Sequence, residues 1–174
     1  MTVVILLLCA EFIAALGCGL AAGVFFAFST FVMQGLRDLP AADGLNAMNA
    51  INSAAKKPSL MILLFGTALL CLAMIVAVLW LEGLPARADA DLVIGPLGGS
   101  VVYLVGAMLV TVVRNVPLNN ALAAANRVDG PEVWKAYLRD WVKWNHVRTV
   151  ACTLACALLM AALVMQLAWI IVHR

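Results

Sequence analysis

Four stretches of this chain are each about twenty or more residues of nearly unbroken apolar sequence, and nothing else limits its fold as strongly. A bilayer core is crossed by about 20 apolar helical residues. The runs are Val3–Leu36, Ser59–Leu81, Leu92–Val113 and Val147–Val172. The whole chain is 66% hydrophobic and only 11% charged, where a soluble domain is roughly half apolar and a quarter charged. The pattern predicts an all-α integral membrane protein. Its residues 1–174 form one domain, a four-transmembrane-helix bundle with short amphipathic helices in the first and third loops. The first run has no basic residue ahead of it and continues to Leu36, too long for a signal peptide.

Charge speaks to orientation rather than to partners. A net charge of +2 gives no nucleic-acid footprint. Of the basic residues, Arg37, Lys56 and Lys57 lie in the first loop, and Arg114, Arg127, Lys135, Arg139 and Lys143 in the third. Outside those loops stand only Arg87, Arg174 and, at the start of a span, Arg148. Lys and Arg gather in cytoplasmic loops. The expected placement is the cell (inner) membrane, with loops one and three cytoplasmic and both termini outside. Membrane lipids and a hydrophobic small molecule are the expected partners, with no nucleic acid. Ala15, Gly19 and Gly23, four apart, offer a close-packing stripe inside the bundle or in a homo-oligomer. The cysteines Cys9, Cys18, Cys71, Cys152 and Cys156 all fall in apolar runs without a CxxC, so they read as small buried hydrophobes. Glu11 is the only acidic residue within a span, where it is either functional, protonated or close enough to reach the surface.

The most informative stretch is WKAYLRDWVKWNHVRT, Trp134–Thr149. As a helix it gathers Trp134, Tyr137, Trp141 and Trp144 on one face and Lys135, Arg139 and Lys143 on another. Rings and cations so divided suit a membrane–water interface, so Trp134 and Trp141 are expected as anchors there. If the helix runs on, Trp141, Asn145, Arg148 and Cys152 form one stripe, and His146, Thr149 and Thr153 a second about 100° away. Sequence does not choose between them. In the first loop, Asp43–Ala55 reads as a helix with Asp43 as N-cap. Its Leu45, Met48 and Ile51 would rest on the bundle, with Asn46, Asn49 and Asn52 beside them. Pro117, between Asn115 and Asn119, should kink the third span.

Polar residues thus come from every helical region toward one end: Ser29, Asn52, Asn115, Asn119, Asn145, His146 and Arg148. One histidine is too few for a zinc or di-iron site. No Ser-His-Asp set, P-loop or GxGxxG is evident. What remains is one base, one cation and several amides between apolar walls. His146 would remove a proton from an acidic carbon, while Arg148 and Asn145 stabilise the resulting oxyanion. Ser29, Phe25, Phe28, Asn52, Asn115, Asn119, Trp141 and Trp144 would bind the substrate. Such an enolate reacts with dioxygen directly, so no cofactor is predicted and dioxygen is the co-substrate. A metal or haem held by His146 stays open. The alternative is a non-enzymatic subunit or scaffold that binds lipid, quinone or a partner protein.

FAFSTFVMQGL, AMNAIN followed by KKP, NVPLN and WNHVRT resemble the anthrone-oxygenase-like family of small four-helix membrane proteins, many of whose bacterial members have no assigned function. The resemblance spans nearly the whole chain. It implies oxidation of an anthrone, a reduced tricyclic ketone, to an anthraquinone by dioxygen without an obvious cofactor. It would make Ser29, Asn52, Asn115, Asn119, Asn145, His146 and Arg148 the family's polar residues. The sequence departs from the family pattern at Gln34, where proline is expected, and at Asn49, where glutamine is expected.

Overall fold

A computed structural model describes residues 2–82, 90–126 and 129–172, and these are helical nearly throughout. The first span is α1 (Thr2–Ala27), a π-helical turn (Phe28–Val32) and α2 (Met33–Arg37). A separate helix α3 (Ala41–Ala55) leads to the second span, α4 (Pro58–Glu82). The third runs through α5 (Ala90–Tyr103), two π-helical stretches (Leu104–Leu109 and Thr111–Asn115) and α6 (Val116–Ala124). The fourth is α7 (Gly130–Val172). Four helices are long and apolar enough to cross a membrane: Val4–Arg37, Pro58–Trp80, Ile94–Ala124 and Gly130–Val172. Arg87, Arg127 and Arg174, three of the charges used for orientation, lie outside the described residues.

Several features differ from expectation. The amphipathic helix foreseen in the third loop is not separate, because it is the first half of α7. That helix has 43 residues and is about 65 Å long, twice the thickness of a bilayer core. No glycine or proline interrupts it after Pro131, so the helix has no reason to break. Asp43 is not the N-cap of α3. Pro40 holds that position with extended backbone, and Asp43 sits in the first turn, where its charge still meets the helix dipole. At Pro117, where a kink is expected, the helix runs on, and a π-helical stretch, Thr111–Asn115, lies just ahead of the proline.

The core has two parts. In the bundle centre, Ala14, Cys18, Ala21 and Phe25 of α1 meet Leu64, Cys71 and Met74 of α4, Tyr103 of α5, and Cys152, Ala155 and Leu159 of α7. Three of the cysteines are therefore small core residues as expected, but Cys9 is exposed. Glycines of the third span approach α7 closely. Gly95 and Gly99, four apart, lie against Ala162 and Leu159 of α7, and Gly106 lies against Ala151. A Cβ on Gly99 would stand 2.8 Å from Leu159 Cγ. Small residues at that spacing let two backbones approach closely, and apposed surfaces then gain dispersion energy where lipid supplies no hydrophobic drive. The stripe Ala15, Gly19, Gly23 is used differently along its length. Ala15 is buried, Gly19 faces Cys156, and only Gly23 is open. Glu11 is buried and interacts with Gln166 of α7, so it does not reach the surface.

The second core caps one end of the bundle. Here α3 and α6 fold over the projecting half of α7, enclosing Met33, Met48, Leu122, Trp134, Tyr137 and Trp141, with Leu45 and Ile51 packed against them. Trp134 and Trp141 are therefore not interfacial anchors. They retain only 3% and 5% exposure, because α3 and α6 cover the aromatic face that would otherwise meet headgroups. Lys135, Arg139 and Lys143 lie on the exposed side.

Candidate functional site

Where the two cores meet, α7 turns the stripe Trp141, Asn145, Arg148, Cys152 inward. Asn145 has no exposed surface. Its Nδ2 donates to the Phe25 carbonyl at 2.7 Å and to Ser29 Oγ at 2.8 Å. Its Oδ1 accepts from Arg148 at 2.7 Å. One amide thus ties the widened turn of the first span to the guanidinium of the fourth. Ser29 also lies 3.0 Å from Thr149 Oγ1, which donates back to the Asn145 carbonyl.

Arg148 is 5% exposed. Its guanidinium stands 4.2 Å from the centre of the Phe25 ring and 5.2 Å from that of Trp141. A second nitrogen donates to Thr111 Oγ1 at 3.2 Å. Among the described residues no carboxylate neutralises it, and the only ion pair joins Arg139 to Asp140. Phe28 meets Trp141 edge-to-face at 5.8 Å. Trp134, Tyr137 and Trp141 stack in sequence up the helix.

The third span lines up against α7 in three antiparallel rungs. Thr111 meets Arg148, Asn115 Nδ2 donates to the Trp141 carbonyl at 3.4 Å, and the Tyr137 hydroxyl donates to Asn119 Oδ1 at 2.8 Å. Three polar atoms of these rungs are buried without a partner, Arg148 Nε, Trp141 Nε1 and Asn115 Oδ1, while Asn52 of α3 pairs with the Tyr137 hydroxyl. Buried polar groups are nearly always bonded. Free donors and an acceptor beside a buried cation are groups that can bond a polar ligand atom.

The structure brings together Phe25, Phe28, Ser29, Asn52, Asn115, Asn119, Trp141, Asn145 and Arg148. It does not bring in His146. One residue beyond Asn145 turns a side chain about 100° around the helix, and His146 is exposed on the outer side of α7. Trp144 stands at the edge, half-buried, beneath the Arg114 guanidinium at 4.7 Å. Thr111, Tyr137 and Thr149 were not among the expected site residues. The signal for Thr111 was present in its spacing of four from Asn115, itself four from Asn119. Among the described residues no three His, Cys, Asp or Glu side chains are placed to hold a metal ion.

Membrane-length helices around a buried, ring-walled arginine–amide network define a small multi-span membrane protein with an internal polar site. The sequence profile described as anthrone oxygenase matches residues 59–158, more than half of the chain, and the chain belongs to that family. The matched stretch holds Thr111, Asn115, Asn119, Trp141, Asn145 and Arg148, whereas Phe25, Ser29 and Asn52 precede it. No curated protein and no solved structure matches the chain.

Proposed function

We propose that this protein oxidises a flat, apolar aromatic ketone, of the anthrone or quinone-like kind, with dioxygen. The observation that carries the reading is the Asn145–Arg148 pair, buried between Phe25, Phe28 and Trp141 in a chain of the anthrone oxygenase family. The rings suit a planar guest arriving from lipid, and the cation and free donors suit its carbonyl oxygen. Loss of a proton from the carbon opposite the carbonyl moves an electron pair onto that oxygen. Donors set where charge develops are the largest usual source of catalysis. The carbanion form then adds dioxygen, and the peroxide loses water to leave a second carbonyl. One CH2 becomes C=O while one O2 supplies the new carbonyl oxygen and one water. The substrate provides all four electrons, so the balance requires no resident cofactor.

The exposed position of His146 argues against it as the group that takes the proton. Facing outward, its ring lies on the far side of the helix from Arg148. The distribution of Lys and Arg supports an orientation with α3 and the α6–α7 connection on the cytoplasmic side.

The test is oxygen uptake by the purified protein in detergent with an anthrone. One O2 consumed per quinone formed, at a rate well above that in protein-free micelles, is the expected result. A rate equal to the micelle background overturns the reading.

A further inference from the structure

We infer that the site binds its ligand as an oxyanion, with Arg148 as the counter-ion, taking an anthrone as its ionised enol and selecting acidic phenols and enols over analogues of the same shape that cannot ionise. The proposal rests on the reading of this network as the substrate site. It starts from the arginine. A charge taken out of water carries a large desolvation penalty unless an opposite charge meets it. Among the described residues Arg148 has no such partner. From the first span it faces Phe25, and from the third the neutral Thr111. On its own helix the titratable groups near it are Tyr137 and Cys152. Asn145 supplies a dipole rather than a charge.

The free atoms have the right sign for an anion. Arg148 Nε and Trp141 Nε1 are both donors, both buried and both without a partner. The Arg148 guanidinium and the Trp141 indole adjoin, 5.2 Å from guanidinium carbon to ring centre. Asn52, on the helix α3 that closes the end of the site, pairs with the Tyr137 hydroxyl and so is not counted among the free donors. An oxyanion accepts from several donors at once, and hydrogen bonds to a charged partner are roughly twice as strong as neutral ones. On binding, the ligand O–H bond breaks, the electron pair stays on oxygen, and the proton passes to bulk water. An ionised phenol or enol already carries the electron density that dioxygen attacks, so the site needs no protein base, in keeping with the outward His146.

A fatty acid or a lipid phosphate is also an oxyanion on an apolar body. The stacked and edge-on rings of Phe25, Phe28, Tyr137 and Trp141 favour a planar aromatic one.

The probe is 2-hydroxyanthraquinone, yellow as the phenol and red as the phenolate, added to the full chain in detergent micelles. Quenching of tryptophan fluorescence reads binding, and visible absorbance reads ionisation. The dye bound to the wild-type protein should ionise at least about one pH unit below dye in empty micelles, the usual effect of an adjacent opposite charge. Arg148→Gln should restore the micelle value, while Arg148→Lys should keep most of the shift. The 2-methoxy analogue, which cannot ionise, should bind wild-type protein at least about tenfold more weakly at neutral pH. That comparison needs no variant and holds even if Arg148→Gln fails to fold. An unshifted dye, a shift retained in a folded Arg148→Gln, or equal binding of the methoxy analogue overturns the proposal. Displacement of the dye by oleate or dodecyl phosphate at lower concentration than by 2-naphthol, a planar phenol with no visible absorbance, overturns the aromatic assignment. Red bound dye with no oxygen uptake from an anthrone sinks the oxygenase reading alone. Oxygen uptake with neutral bound dye sinks the anion alone.

Discussion

Replacing Arg148 by methionine should leave the protein about as stable as before while removing its chemistry. The guanidinium gains about 1.5–3 kcal/mol from its charge-assisted bond to Asn145, at 2.7 Å, and about 1 from the longer bond to Thr111. The Phe25 and Trp141 rings add about 0.5–2 each. These gains, about 4–8 kcal/mol at most, oppose a desolvation cost of several kcal/mol for a charge with no counter-ion and an unbonded Nε. Methionine keeps much of the apolar stem and removes the cost. It leaves Asn145 Oδ1 without its partner, at about 1–3 kcal/mol. The net expectation is a change within about 2 kcal/mol in either direction, or a shift of about 8 °C or less at 2–4 °C per kcal/mol for a chain of this size. Thermal unfolding in detergent, followed by circular dichroism at 222 nm, measures it. The rate of anthrone oxidation should fall about 100- to 1000-fold, as on loss of an oxyanion-stabilising donor. A loss of stability above about 4 kcal/mol would mean that Arg148 is a structural strut, and the argument from its missing counter-ion would fail. A methionine variant with near-normal rate would refute the placement of the reacting oxygen.

Gly99→Leu should destabilise the α5–α7 seam by about 1–3 kcal/mol, since even a Cβ there stands 2.8 Å from Leu159 Cγ. Gly23→Ala, in open space, should leave the unfolding temperature within about 2 °C, and thermal melts of the two variants check both. His146→Ala should keep the oxidation rate within about twofold, because the ring is turned away from the network. A fall of about 100-fold would put His146 back into the reaction. Alkaline phosphatase fused after the last residue should be active in a bacterial host if both termini face outside, and inactive if the charge rule misplaces them.

How far the site was legible depended on whether a residue's environment is set by its neighbours in sequence. Asn115 and Asn119 showed their shared face by spacing alone. Asn145 and Arg148 were expected near the site, but their dominance over His146 was not readable. Neighbouring positions on a helix differ by a rotation that no local rule can orient until another helix occupies one side. Trp134 and Trp141 carried the composition of an interfacial belt, and only the folding of α3 and α6 over them makes that face a core. The Gly95–Gly99 pair was equally visible in the sequence as the Ala15–Gly19–Gly23 stripe, yet it is the former that meets α7 along its length. Which of two similar stripes is used depends on rotation and register between helices, and those are global properties of the packing.

Sequence by itself determined that the chain is helical and that four of its helices are long and apolar enough to cross a bilayer. Backbone groups in hydrocarbon must bond within their own segment, so runs of that length and composition leave almost no other choice. It also determined that asparagines, an arginine and aromatic rings gather toward one end. Tertiary structure alone decided which side of the rod through Trp134–Thr149 faces inward. It also decided that Arg148 is enclosed without a carboxylate to meet it. An unpaired charge is a statement about every neighbour at once, and no stretch of sequence contains all of them.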